Sequence, residues 1–204
     1  MSEAAAQGAV APTGLQGHPI GLLVTDDLRR SRLTVFFRLL LAIPHLIWLY
    51  IYSIVAGIAL VVAWFAALFT GRVPDGLHSF LAKWLRYSTR VNAYILLLAD
   101  PWPPFSGQGS YPVDVRIDPS APQSRLAVFF RLLLVIPAAI LTYVFRIVNN
   151  IVAFLGWFYC LIFGRMHRGM RDISAWLLRY ETQTYAYMFL LTGKYPSLAG
   201  APTA

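Results

Sequence analysis

The stretch Ser31 to Pro44, "SRLTVFFRLLLAIP", returns ninety-three residues later as Ser124 to Pro137, "SRLAVFFRLLLVIP". Each copy sets an arginine, Arg38 and Arg131, inside an otherwise apolar run, where a charge is costly. Working outward from these two stretches, residues 18–103 align with 111–196 without a gap, and 34 of the 86 positions are identical. The matches continue through Trp64 and Phe65 with Trp157 and Phe158, Gly71 and Arg72 with Gly164 and Arg165, and Arg86 and Tyr87 with Arg179 and Tyr180. The chain is a tandem duplication, so one plan serves both repeats.

That plan is dominated by apolar residues. Hydrophobic side chains make up 58% of the chain, charged ones 13%, and the mean hydropathy is +0.59, a composition displaced toward membrane proteins. From Leu33 to Gly71 there is no acidic residue, and Arg38 is the one Lys or Arg; from Leu126 to Gly164 only Arg131 and Arg146 are charged. A bilayer span needs roughly 20 apolar residues, so each run fits either one long tilted helix or a tight helical hairpin. Pro44 and Pro137 predict a kink about a third of the way along. The second run carries Arg146, Asn149 and Asn150 near its midpoint, a cluster better tolerated at a hairpin tip reaching the far interface than in mid-bilayer.

Two smaller elements complete each repeat. In "YPVDVRIDP" the apolar Val113, Val115 and Ile117 alternate with Asp114, Arg116 and Asp118, the period of a half-exposed strand. The first copy, "HPIGLLVTDD", follows this less closely, and one strand from each repeat could pair outside the bilayer. After Gly71 and Arg72, "DGLHSFLAKWLRYSTRVNAYILLLAD" repeats its apolar residues at helical spacing, with His78, Lys83, Arg86 and Arg90 mainly off that face. Such an amphipathic helix suits the membrane interface, or it could pack against the spans. The expected organisation is a disordered tail over 1–17, repeats over 18–103 and 111–196 joined by a Pro/Gly-rich linker over 104–110, and a second tail over 197–204. The amino end does not read as a cleaved signal peptide.

The net charge of +8 comes from fifteen arginines and two lysines against nine acids. No aromatic-basic nucleic-acid module accompanies it, and the cations flank apolar runs, which points to anionic lipid headgroups and membrane topology. Both repeats carry arginine before the long run, at Arg32 and Arg125, and after it, at Arg72 and Arg165. They therefore ask for one orientation, an even number of crossings each and a repeat axis along the membrane normal, with most basic segments cytoplasmic; this favours the hairpin. Arg38 and Arg131 lie about 9 Å along a helix from Arg32 and Arg125, within reach of snorkelling. Arg32, Arg38, Arg125, Arg131, Arg86 and Arg179 are thus the candidate headgroup contacts, as anchors or as a paired anion site. Arg146, Asn149 and Asn150 are the candidate interface or polar-tip residues.

The pattern "FFRLLLAIPHLIWL", "AWFAALFTGR" and "WLRYSTRVNAYILLLAD", followed by "PWPPF", resembles a bacterial membrane family known as domain of unknown function 4389, frequent in actinobacteria. The likeness runs from about His18 to Pro196; the second copy departs from it, with "TGKYPSL" where the first has "ADPWPPF". The resemblance implies integral membrane location and lends no activity, cofactor or catalytic residue.

The residues supply little chemistry of their own. His18, His45, His78 and His167 show no metal-ligand spacing, and none has a histidine counterpart in the other repeat. No phosphate-cradling loop, nucleophile elbow or zinc-protease helix is present. Cys160, the one cysteine, lies in "GWFYCLIF" as a small apolar residue. These readings describe an all-α integral membrane protein, multi-pass in a bacterial inner membrane. It is expected to be non-enzymatic and without a cofactor, a lipid-interacting scaffold or accessory subunit of an envelope complex. Its expected partners are membrane lipids with anionic headgroups, together with a membrane-protein partner or further copies of itself, and not nucleic acid. The alternative is a small oligomeric transporter or channel for an anionic or lipid-like solute.

Overall fold

The computed structural model describes residues 18–105 and 109–199; the tail over 1–17, part of the linker and residues 200–204 lie outside the described residues. The first apolar run forms one helix, α1 (Arg32–Thr70), of 39 residues, which continues through Pro44. It ends at Gly71, whose φ of 80° lets the chain turn left-handed while its N–H bonds Ala67 O. In the second repeat a short α3 (Arg125–Phe129) precedes α4 (Arg131–Phe163), which contains Pro137 and ends in the same way at Gly164, φ 67°. The interruption expected at proline therefore falls at Phe130. Neither run folds back, so the hairpin is corrected to a single long helix. Arg146, Asn149 and Asn150 lie within α4 instead of at a tip. The physical reason is on the neighbouring helix: Glu181 and Tyr185 receive Arg146, so its charge needs no far interface.

Each long helix buries one narrow stripe along its length. In α1 it comprises Val35, Arg38, Ala42, His45, Ala56, Ala63 and Ala67, and in α4 Arg131, Val135, Ala138, Thr142, Asn149, Gly156 and Cys160. Spacings of three, four, seven and eleven residues keep these positions on one side, and the small ones let the partner helix approach. The rest of the circumference exposes large apolar side chains, from Leu33 at 69% to Phe69 at 71%. Both helices are long and apolar enough to cross a membrane.

The amphipathic segments become an inner pair, α2 (Asp75–Ile95) and α5 (Arg168–Met188). They run antiparallel: Trp84 stacks on Phe189 at 4.2 Å, Thr89 Oγ1 meets Thr182 Oγ1 at 3.4 Å, and His78 Nε2 lies 3.3 Å from Leu191 O. Consecutive residues Tyr87, Ser88, Thr89, Arg90 and Val91 are all buried, a full turn with no free face. Lying in an interface is thereby corrected to packing against the long helices. The interior polarity of these helices, Thr182, Gln183 and Thr184 included, is absorbed locally: Thr182 and Thr184 hydroxyls donate to the carbonyls four residues back, and Gln183 donates to Ile20 O.

The strands β1 (Ile20–Val24) and β2 (Val113–Ile117) pair antiparallel, one from each repeat. Leu22 faces Val115, its own counterpart after a shift of 93, so the sheet is centred on a pseudo-two-fold axis. Thr89 and Thr182 are counterparts as well. The same symmetry appears as reciprocal bonds: Trp64 Nε1 donates to Val128 O and Trp157 Nε1 to Val35 O, each at 2.9 Å. Gln123 N donates to Gly71 O at 2.8 Å and Arg30 N to Gly164 O at 3.0 Å. Each repeat thus begins where the other repeat's long helix ends.

Candidate functional site

The inner helices end on a leucine. Leu97 and Leu190 adopt φ of 63° and 59° and close a Schellman turn, with Leu98 N bonding Ala93 O and Leu97 N bonding Tyr94 O, repeated by Leu191, Ala186, Leu190 and Tyr187. A side chain in this conformation costs about 1–2 kcal/mol, and the carbonyl of each of these leucines is met by a side chain of the segment that leads into the long helix. Leu97 O accepts Arg30 Nε at 3.0 Å and Nη2 at 2.8 Å, while Leu190 O accepts Gln123 Nε2 at 2.8 Å.

Arg38 and Arg131 complete these turns. Arg38 Nη1 donates to Tyr94 O at 2.6 Å and Ala99 O at 2.8 Å; Arg131 Nη1 donates to the equivalent Tyr187 O at 3.1 Å and Thr192 O at 3.0 Å. Each guanidinium also stacks on the tyrosine whose carbonyl it holds, 4.5 Å from the Tyr94 ring and 4.1 Å from the Tyr187 ring. Both residues are 1% exposed. The snorkelling reading is therefore corrected: the α1 and α4 stripes turn these arginines inward, where a helix C-terminus concentrates negative potential in its free carbonyls. Burial raises the Tyr94 phenol above its ordinary range against the pull of Arg38, so a neutral ring faces the cation.

The anions differ between the copies. Asp100 accepts Arg38 Nη2 at 2.6 Å and Ser31 N at 3.2 Å. Beside it Arg30 holds Asp26 in a two-point pair at 2.9 and 2.6 Å, with both side chains almost fully buried. At the equivalent place Arg131 meets only the Gln123 side-chain carbonyl. A cleft of about 820 Å³ opens beside the charged end, lined by Asp26, Asp27, Arg29, Arg30, Asp100 and Arg165 among others. The positions equivalent to the first five are Pro119, Ser120, Pro122, Gln123 and Gly193. One end thus carries two ion pairs and the other a single guanidinium held by neutral acceptors, on a symmetric frame.

The remaining predicted residues scatter. Arg86 donates to Val115 O at 3.3 and 3.2 Å and approaches Asp114 at 3.2 Å, so it ties α2 to β2. Arg179 donates to Ala199 O and Ser197 O, fastening the carboxyl-terminal segment, and burial lowers its pKa. Arg32 donates to Ile162 O at 2.9 Å at the surface, and the exposed Arg125 lies alongside Gly71. Both arginines are exposed. Asn149 is buried and Asn150 exposed.

Sequence reasoning missed Arg30, Asp26, Asp100, Gln123 and Glu181. The signal for the first four lay in the columns where the repeats disagree, opposite the search for what they share. His45 was also unremarkable as a sequence feature, yet it is fully buried, with Nδ1 2.8 Å from Tyr87 Oη and its ring between Phe105 and Trp102 at 4.4 and 4.5 Å. Among the described residues no group of three or more His, Cys, Asp or Glu side chains is arranged to hold a metal.

No curated protein and no solved structure matches the chain. Residues 32–107 and again 125–199 match the family described as "Domain of unknown function (DUF4389)". The two matches cover most of the chain and coincide with the two helical units whose ends Arg38 and Arg131 hold, and the chain belongs to that family, carrying its domain twice.

Proposed function

We propose that the protein is a non-enzymatic, lipid-interacting membrane scaffold or accessory subunit of a cell-envelope complex, located in a bacterial inner membrane with its basic helix ends cytoplasmic. One observation carries this reading: the buried polar groups of the long helices, Arg38, His45, Arg131 and Thr142, are directed inward to the inner helix and its end in their own repeat, while the outer surface is predominantly apolar. Among the described residues, the exposed large apolar side chains belong to α1, α4 or the residues 125–130 that lead into α4, apart from Trp102, Phe105, Ile173, Tyr195 and Leu198. A patch of that extent is far larger than soluble monomers present. Arg32 and Arg125 stand at its margins, placed for anionic headgroups.

The test is purification of the whole chain in mild detergent, with mass spectrometry of the proteins and lipids that accompany it. A stoichiometric protein partner together with retained anionic lipid is the expected result. A monodisperse homo-oligomer that passes ions when reconstituted in liposomes would replace this reading with the transporter.

A further inference from the structure

The symmetry and the distribution of exposed side chains together fix how the molecule can sit in lipid. Points related by a two-fold axis share one height along it. Arg30 bonds Gly164, the counterpart of Gly71, so the start and the end of α1 lie at nearly the same height. The middle of α1 does not bow away from the body, since Tyr52 packs on Phe80 at 5.5 Å and Ser53 Oγ accepts Trp84 Nε1. The long helices are therefore perpendicular to the axis, and the axis passes their midpoints.

The same axis passes through the sheet, which is charged. Asp114, Arg116 and Asp118 are about a third or more exposed, and β2 packs on the face of α2 bearing Arg86 and Arg90, away from the face bearing Phe80, Trp84 and Tyr87 that receives α1. Were α1 and α4 to cross a bilayer, this sheet would lie level with the hydrocarbon midplane, where such charges are strongly disfavoured. The helices would also be too long. Thirty-nine residues extend about 58 Å against a hydrocarbon core of about 30 Å, yet both ends of α1 expose large apolar residues, from Leu33 and Phe36 to Phe65 and Phe69. Crossing would further place the matching arginines Arg32 and Arg125 on opposite sides, against the positive-inside bias.

We infer that α1 and α4 lie in the membrane plane, their outer faces sunk among the acyl chains of one leaflet, with the pseudo-two-fold axis along the membrane normal and the charged sheet in water. This rests on the membrane location proposed above and replaces a multi-pass arrangement with a one-sided one. All four helix-end arginines, Arg32, Arg72, Arg125 and Arg165, then meet a single headgroup layer. An in-plane helix buries its apolar face about 5–10 Å deep, comparable to the radius and diameter of α1 itself.

The test uses the full chain carrying Cys160→Ala, which installs the residue found at the equivalent Ala67. Single cysteines at Leu39, Tyr50, Ile58 and Phe69, all strongly exposed on α1, are spin-labelled in liposomes and their depth is read from collisions with oxygen and a water-soluble nickel chelate. The four labels span about 45 Å of helix and are expected at one depth within a helix radius. Single cysteines at Ser31, Arg72 and Arg116 are expected to react with an impermeant maleimide in inverted vesicles and to lose that reaction in right-side-out ones. A depth profile that changes along α1, or reaction of Ser31→Cys and Arg72→Cys from opposite sides, overturns the in-plane arrangement while leaving membrane location standing. Labels shielded from oxygen in a doubled-mass species would instead assign the apolar face to a second copy. Recovery of the chain as a monomer in the detergent-free soluble fraction would remove the membrane location itself.

Discussion

The two ends of the molecule solve one packing problem with different electrostatics. At the first, Arg38 bridges the carbonyls of Tyr94 and Ala99 with Asp100 beside it, and Arg30 holds Leu97 O with Asp26 beside it. At the second, Arg131 bridges Tyr187 and Thr192 with no carboxylate, and Gln123 alone takes the part of both Arg30 and Asp100. What the copies share is a guanidinium on the free carbonyls of a left-handed leucine turn and the face of a tyrosine. The carboxylates are an addition to that core. Helix-end dipoles, one ring and one amide oxygen suffice to hold a buried cation, so the extra charges at the first end either reinforce it or serve the cleft they line.

The largest separation between the ends should come from removing the shared arginines. Arg38→Ala leaves two buried carbonyls and takes the cation from Asp100, whose side chain is 26% exposed and keeps its bond from Ser31 N, so a loss of about 3 kcal/mol, the low end for a broken buried pair, is expected. Arg131→Ala strands only neutral acceptors, so about 1–3 kcal/mol is expected. Thermal or denaturant unfolding in detergent, followed by tryptophan fluorescence, gives both values. Equal losses would mean that Asp100 contributes nothing to the difference. Next comes Arg30→Gln, which writes the second end into the first. Asp26 is left buried and unpaired, and about 3 kcal/mol should be lost, most of it regained in Arg30→Gln with Asp26→Ala. Failure of the double substitution to recover would show that Arg30 acts mainly through Leu97 O.

The reciprocal tryptophans should behave alike where the arginines do not. Trp64→Phe and Trp157→Phe each remove one indole bond to a carbonyl of the other repeat, worth about 1 kcal/mol, and the two losses should agree within a few tenths. A clear inequality in the same unfolding measurement would show that the symmetry of these bonds is not a symmetry of energies.

The extent to which this was legible in the chain follows from what each signal measures. Periodicity and the shift of 93 exposed the duplication, the strand alternation of Val113 to Ile117 and the amphipathic helices, because each is a local repeat. The path of the apolar runs was not legible, since an all-apolar segment carries no information on which side faces protein. Only small residues such as Ala42, Ala56, Ala63 and Ala67 in the first run and Ala138 and Gly156 in the second hint at the buried stripe. The roles of Arg38 and Arg131 were hidden for a related reason. Their partners are backbone carbonyls of turns made by Leu97 and Leu190, a conformation usually announced by a glycine that neither position carries.

The smallest effect tests whether a charge pair unique to one repeat matters at all. Arg146 and Glu181 pair between α4 and α5, where the first repeat has Ser53 and Ser88. Glu181 is 7% exposed in its side chain whereas Arg146 is 47% exposed, so the burden of desolvation falls on the carboxylate. Arg146→Ser should therefore be the costlier single change, leaving a buried anion with no cation. Glu181→Ser releases an arginine already half in contact with the surroundings and still able to reach Tyr185 Oη, 3.1 Å away. Making both changes converts this site to the first repeat's chemistry, and the net effect should fall within about 1 kcal/mol of the parent, as replacement of a whole pair usually does. If the double variant lost as much as Arg146→Ser alone, the pair would be holding α4 on α5 in a way that the serines of the first repeat do not, and the two repeats would differ in how their long helix is attached.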